Sequence, residues 1–243
     1  MTMPAKALQE PPSADGSGAM FDRIAPHYDV MNTLMTGGLD RVWRRNALDA
    51  ALLGAGMRVL DVATGTGKLA LGAAARVTPG GEVVGLDPAA EMLARARRAT
   101  APADARLSWV QADAQALPFA DGTFDAVIIG FGLRNLPEVA AALREMARVA
   151  APGGRVVVLE IAAPDGGASG LLFRTWFRQV VPRLGALAGS RAAYRYLPES
   201  VGRYPAPGRV AELMHEAGLR DVRWRLLLGG MVTLHVGQRE HGP

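Results

Sequence analysis

The sequence predicts a doubly wound α/β fold whose sheet is mostly parallel and ends in an antiparallel C-terminal hairpin. Five short β-rich runs lie at 58–63 (RVLDVA), 82–86 (EVVGL), 107–111 (LSWVQ), 124–130 (FDAVIIG) and 155–161 (RVVVLEI). Alanine- and arginine-rich helical stretches separate several of them, notably 89–100 and 137–150. Apolar strands alternating with helices form βαβ units, which bury a parallel sheet between two helical layers through right-handed crossovers. The third observation is Gly229-Gly230, a turn dipeptide between the β-prone runs 225–228 and 231–236, which joins an antiparallel pair.

Residues 1–19 contain Pro11, Pro12, Ser13, Gly16, Ser17 and Gly18 without apolar periodicity and are expected to be disordered. Residues 20–243 are expected to form a single domain. Its first part, 20–54, spaces Val30, Met31, Leu34, Leu39, Val42, Trp43 and Leu48 for two or three short helices interrupted at Gly37-Gly38, a helical cap. The strand–helix rhythm follows and breaks at 165–206, an irregular, partly helical insertion expected on the substrate side. It resumes with a helix at 208–217 and a strand at 221–228.

With 243 residues, 49% hydrophobic and 21% charged, the chain has ample apolar material for a core and is neither fibrous nor disordered overall. No uncharged apolar run reaches the roughly 18 residues of a spanning helix. The absence of cysteine excludes a disulfide framework, a thiolate zinc site, an iron–sulfur cluster and a cysteine nucleophile. With no apolar signal core in the first twenty residues, it also points to the cytoplasm. The net charge of +4 is uneven: the first 170 residues are slightly acidic, and the arginine surplus falls in 171–243.

The strongest local motif is Asp61-Val62-Ala63-Thr64-Gly65-Thr66-Gly67, a glycine turn between the first strand and a helix. Glycines there let the chain turn tightly and let a ligand approach backbone N–H groups. A P-loop is excluded, because Val62 stands at its first glycine and Leu69 replaces the magnesium-holding hydroxyl. A dinucleotide site stays open, since Gly65-x-Gly67-x-x-Ala70 fits its fingerprint and Asp87 ends the second strand. Asp61, four residues before Gly65, favours a cationic ligand over a pyrophosphate, and with the C-terminal hairpin it selects S-adenosylmethionine. Asp87 is placed to accept from both ribose hydroxyls and Asp113, after the third strand, from the adenine amino group. Three acids at successive strand ends suit a crevice outside the carboxyl edge of one sheet.

From Met20 onward the chain resembles the ubiquinone/menaquinone biosynthesis C-methyltransferases. The resemblance rests on Phe21-Asp22, Tyr28-Asp29-Val30-Met31-Asn32 and Arg41-Val42-Trp43, with the less specific stretch from Ala116 to Asp125. It continues in Phe131-Gly132-Leu133-Arg134-Asn135, Arg148 to Gly154, Tyr194-Arg195-Tyr196-Leu197 and Glu199-Ser200. The departures are Thr36 for a usual serine, Asp40 for a usual histidine, Ala151 for a common lysine and Lys68 for a frequent acid. Asp40 therefore stays outside the expected site.

The resemblance implies a Rossmann-like methyltransferase sheet and methyl transfer to a ring carbon of a polyprenylated quinol, here demethylmenaquinol by the family's wide menaquinone usage. It places Thr66, Asp87, Asp113, Ala114 and Gly130 along the cofactor, beside Asp61, Gly65 and Gly67 from the turn. Arg134 is expected to stabilise charge on a quinol oxygen, since its guanidinium is a permanent cation. Asn135 either orients an acceptor oxygen or caps the helix near Pro137. Tyr28 and Asp29 are expected to fold over the site, with His27 or water as alternative proton acceptors, whereas His215 and His235 are expected to be structural.

In 171–184, Phe173, Trp176, Phe177, Val180 and Leu184 share one helical face and Arg174 and Arg178 another. That pattern suits either a helix packed on the core or a lid gripping an isoprenoid tail at an anionic membrane surface. The expected partners are the polyprenylated quinol and, peripherally, the inner face of the plasma membrane. No nucleic acid is expected, and a homo-oligomer is left open.

Overall fold

The computed structural model describes residues 21–22, 25, 28–99, 104, 106–164, 166–176, 179 and 198–240. The expectations for 1–19, for His27, for the Arg174 side chain, and for Phe177 to Leu197 except Gln179 fall outside them.

Helices α1 (Tyr28–Thr36) and α2 (Asp40–Ala50) precede the first strand and part at Gly37-Gly38, where both glycines have positive φ. The alternating region is β1 (Arg58–Val62), α3 (Lys68–Val77), β2 (Glu82–Asp87), α4 (Ala90–Ala96), β3 (Arg106–Gln111) and β4 (Phe124–Gly130). A 3₁₀ turn (Leu133–Asn135) leads to α5 (Val139–Val149) and β5 (Ala150–Ile161). Further along the described residues lie α6 (Gly167–Thr175), a helical turn at 198–203, α7 (Pro207–Glu216), β6 (Leu219–Leu227) and β7 (Val232–Arg239).

The seven strands form one sheet in the order β3-β2-β1-β4-β5-β7-β6. The first five are parallel, and β7 runs antiparallel to β5 and to β6. The predicted doubly wound sheet with its antiparallel hairpin is thus observed. The hairpin connection is a 3₁₀ turn from Leu228 to Gly230, in which all three residues take positive φ.

Alternation along the inner strands sorts their side chains into two cores, as expected for a sheet covered on both faces. Leu60, Val62, Val127 and Ile129 face α5 and α7 through Leu143, Met146, Val210 and Met214. Val59, Ile128 and Val157 face α2 and α3 through Trp43, Leu48, Leu69 and Ala73. β5 begins at Ala150, earlier than the β-rich run suggested, because Ala150 pairs with Phe124 across an irregularity in the register. A Pro-Gly-Gly sequence reads as a turn, and here it is carried within the strand.

Strand order reverses between β2-β1 and β4-β5, so the carboxyl ends of β1 and β4 diverge there and open a crevice. Among the described residues no helix is long and apolar enough to cross a membrane.

Candidate functional site

A narrow cleft of about 60 Å³ runs along the carboxyl ends of β1, β2 and β4. Its walls include Thr64, Gly65, Thr66, Asp87, Ala114 and Gly130, with the rings of Phe21 and Tyr28 over it. Gly65 has φ +57° and a Cβ built on it meets nothing within 4 Å, so its backbone faces open cleft. Gly67 serves a different purpose. Its φ of +83° starts α3, and a Cβ there would collide with the Trp109 ring.

Asp87 is buried, and its two oxygens accept from the backbone N–H groups of Gly65 (2.8 Å) and Ala89 (2.9 Å). Each carboxylate oxygen has a second acceptor site, leaving Asp87 room for two hydroxyl donors from the cleft it lines. Burial pushes its pKa up to about 6, against the two N–H bonds that lower it. Asp61 lies beneath the cleft wall, accepting from Thr64 Oγ1 (2.5 Å) and Ala70 N (2.9 Å), and burial pushes its pKa up to about 7. These bonds tie the glycine turn to the start of α3. Asp113 holds its own loop, accepting from Gln115 N at 2.9 Å, while the neighbouring Ala114 reaches the cleft.

The cleft fits the expected cofactor in its donor set. It offers the Asp87 acceptors, the bare backbone of Gly65, and Asn135 Oδ1, a buried acceptor with no partner of its own. Met92, Leu136 and Ala114 give it apolar walls for a flat ring.

A second cavity, about 330 Å³, adjoins the first. Its wall is mainly apolar, with Met35, Trp43, Ile161, Phe173, Trp176 and Met231 among its residues. Leu172, Trp176 and Leu228 line it and are also 61%, 37% and 49% exposed, so its mouth is apolar and open to solvent. Tyr28, Arg44 and Phe131 belong to both cavities and form their common wall.

Phe131 is held in an uncommon backbone conformation, φ +63°, directly after β4. A bulky residue there is strained by about 1–3 kcal/mol, and its neighbours fix it. Its N–H donates to Leu159 O (2.8 Å), and its carbonyl accepts from Arg134 Nη1 (2.5 Å). The Arg44 guanidinium sits 5.1 Å above the ring centre, and the Trp43 ring meets it edge-on.

Arg134 lines the second cavity with its side chain only 7% exposed. The same Nη1 donates to Glu160 Oε1 (2.7 Å), and Glu160 Oε2 accepts the Arg134 backbone N–H (3.1 Å). Asn135 lines the cleft instead, and it does not cap α5, whose N-cap is Glu138. His215 and His235 bond backbone carbonyls of Leu219 and Pro207, away from both cavities.

The N-terminal cap is tied to the glycine turn by a polar cluster. Asp29 accepts from Thr66 Oγ1 (2.9 Å) and pairs with Lys68 Nζ (3.1 Å), which also lies 3.6 Å from Asp40. Asp40 lies 3.7 Å from Arg44.

Of the residues expected from sequence, Gly65, Thr66, Asp87, Ala114, Gly130, Asn135 and Tyr28 converge on the cleft, and Arg134 and Tyr28 on the adjoining cavity. Asp61, Gly67 and Asp113 support those walls from behind. Sequence reading missed Arg44, Phe131 and Glu160 as site residues, and set Asp40 aside. Phe131 and Glu160 sit at strand ends beside assigned positions, a signal that could have found them. Asp40 carried a signal in its departure from the family's usual histidine; Arg44 offered none, because α2 reaches the site only by tertiary packing.

The model of the ubiE/COQ5 methyltransferase family matches residues 13–239. The chain is 52% identical to the demethylmenaquinone methyltransferase of Thermus thermophilus, over 90% of this chain and 100% of that one. It is 48% identical to the ubiquinone/menaquinone biosynthesis C-methyltransferase UbiE of Syntrophotalea carbinolica, over 90% and 92%. Among solved structures, a SAM dependent methyltransferase from Aquifex aeolicus superposes with a TM-score of 0.58 at 21% identity, over 80% of this chain and 88% of that one.

Proposed function

We propose, from the premise that the chain belongs to the ubiE/COQ5 methyltransferase family and is an S-adenosylmethionine-dependent methyltransferase, that it methylates a ring carbon of a demethylated polyprenyl quinol, demethylmenaquinol in particular. The observation that carries this reading is the common wall of Tyr28, Arg44 and Phe131, which brings an apolar cavity against the cofactor cleft. A cavity of about 330 Å³ falls within the usual range for small-molecule sites, roughly 300–1,000 Å³.

Bound S-adenosylmethionine supplies a methyl group from its sulfonium, which leaves with the electron pair of the broken bond. The chain's own task is to hold the acceptor carbon in line and favour charge on the acceptor ring; orientation alone is worth about 7–11 kcal/mol. Asp87 would hold the ribose hydroxyls and Gly65 and Thr66 the amino acid end, with Asn135 Oδ1 as an acceptor for the cationic amine and Ala114 and Leu136 as apolar walls for the adenine. Arg134 stabilises charge on an acceptor oxygen, its guanidinium fixed by Glu160 and the Phe131 carbonyl. Tyr28 closes the common wall.

The exposed apolar mouth supports delivery of the substrate's tail from a lipid surface. Leu171, Leu172 and Trp176 on and just after α6, with Leu228, give this face the apolar residues that a peripheral membrane contact uses.

Radiolabelled methyl transfer to reduced demethylmenaquinone, with the corresponding demethylated benzoquinol in parallel, tests the substrate. Labelling of the naphthoquinol at the higher kcat/KM is expected; no labelling of either quinol would refute the reading.

A further inference from the structure

Asp40, the first residue of α2, is 2% exposed and lines the acceptor cavity. Its Oδ2 is fully buried and has no hydrogen-bond partner. Lys68 Nζ at 3.6 Å and Arg44 Nε at 3.7 Å are near enough to balance its charge yet too far to satisfy that oxygen. The other oxygen receives a long contact from Thr36 Oγ1, at 3.4 Å. A buried acceptor left unmet is costly, so this one, on a residue of the cavity wall, marks where a donor belongs.

Among the described residues, Asp40 is the one carboxylate on that cavity's wall. The arginines that share the wall, Arg44 and Arg134, have donors only. A ring hydroxyl donates, the arginines cannot receive, and Tyr28, Asn32 and Thr36 on the same wall offer a hydroxyl or amide oxygen rather than a carboxylate. We propose that Asp40 Oδ2 accepts the hydrogen bond of a ring hydroxyl on the methyl acceptor and takes its proton as the methyl group is transferred. This rests on the substrate reading above and adds a proton acceptor to it.

The proton balance is consistent with a carboxylate in this role. A carboxylic acid is a far stronger acid than a phenol, so the proton stays on the ring oxygen in the ground state. When the ring carbon bonds the methyl group, the hydroxyl's oxygen feeds its electron pair into the ring and becomes strongly acidic. The O–H bond then breaks, its electrons stay on oxygen as a carbonyl, and the proton sits on Asp40. The methylated carbon next releases its hydrogen to water as a proton, restoring the aromatic ring as a phenolate. That phenolate recovers the proton from Asp40, and one proton is released overall.

The groups facing Asp40 are Lys68 from α3, Arg44 on its own helix, Arg134 across the cavity, and Asp29 and Tyr28 from α1. The test measures turnover against pH for wild type, Asp40→Asn and Asp40→His, with calorimetric binding of S-adenosylhomocysteine to each. For Asp40→Asn, a fall in kcat of about 100-fold or more is expected, with S-adenosylhomocysteine affinity within about threefold of wild type. Asp40→His should recover part of the turnover and move the acid limb of the profile up toward histidine's pKa of about 6.5. Unchanged turnover in Asp40→Asn would overturn the inference, as would a parallel loss of S-adenosylhomocysteine binding, which would mark Asp40 as a strut for the cap. A wild type that labels no quinol would sink the substrate reading, and this inference with it.

Discussion

Arg134 and Glu160 meet at 2.7 Å with 7% and 0% of their side chains exposed, so the cation offered to the acceptor cavity is already balanced by a buried anion. Its donors are therefore held in a fixed place and direction for the acceptor oxygen they stabilise. Removing one partner of a buried pair strands the other, at about 3–5 kcal/mol. Arg134→Ala and Glu160→Ala are each expected to lower stability by that order in urea unfolding. Arg134→Lys, which keeps the charge and loses the planar fork, should lower kcat more than it lowers stability.

Asp87 is expected to govern cofactor affinity. Asp87→Ala removes an acceptor for two hydroxyls, and a loss of about 2–3 kcal/mol, or roughly 30- to 160-fold in the Kd of S-adenosylhomocysteine, should appear in calorimetry. Burial sets its pKa at about 6, so the ionised form dominates above that pH. Wild-type affinity should accordingly weaken as the pH falls from 7 through 6 to 5, and the alanine variant should not show that dependence.

Asp61 acts on stability. Its folded pKa of about 7 lies above the ordinary carboxylate value because burial disfavours the charge. The fold thus gains from Asp61 fully below about pH 4 and loses that gain as the pH rises to about 7. Urea unfolding of wild type should show a slope from this group of up to about 1.4 kcal/mol per pH unit inside that window. Asp61→Asn, which cannot ionise, should flatten it.

The Thr66–Asp29–Lys68 cluster fastens the N-terminal cap over the cleft. Asp29 is 44% exposed, so its pair with Lys68 contributes at most about 1 kcal/mol. Asp29→Ala should leave the melting temperature nearly unchanged and speed both association and dissociation of S-adenosylhomocysteine in stopped-flow fluorescence.

Leu171 is 63% exposed and outside both cavities' walls. Leu171→Asp should lower co-sedimentation with anionic phosphatidylglycerol vesicles several-fold while the fold stays intact. Equal sedimentation of the two proteins would remove the membrane-contact reading.

The sheet was readable because buried parallel strands concentrate β-branched and apolar residues in short runs, as in 124–130 and 155–161. Strand-end acids could be placed at one edge for the same reason. Their division of labour was not readable: Asp87 faces the cleft while Asp61 turns inward to Thr64, which depends on side-chain direction after the last strand residue. Asp40 and Arg44 were hidden more deeply. They sit on a helix before the sheet, and nothing in local periodicity says that α2 packs beside β4 and β5. Phe131 shows a third kind of limit, since its positive φ contradicts ordinary preference and is sustained only by Leu159, Arg134 and Arg44 around it.

The insertion of β7 between β5 and β6 makes the last strand in chain order an interior one. Met231 and Val232, at its start, also wall the acceptor cavity. Proteolytic removal of 232–239 would therefore bare two hydrogen-bonding edges at once and delete part of the chamber, leaving a sticky fragment with no partial activity. The arrangement couples completion of the sheet to completion of the chamber, so an unfinished molecule has nowhere to keep its substrate.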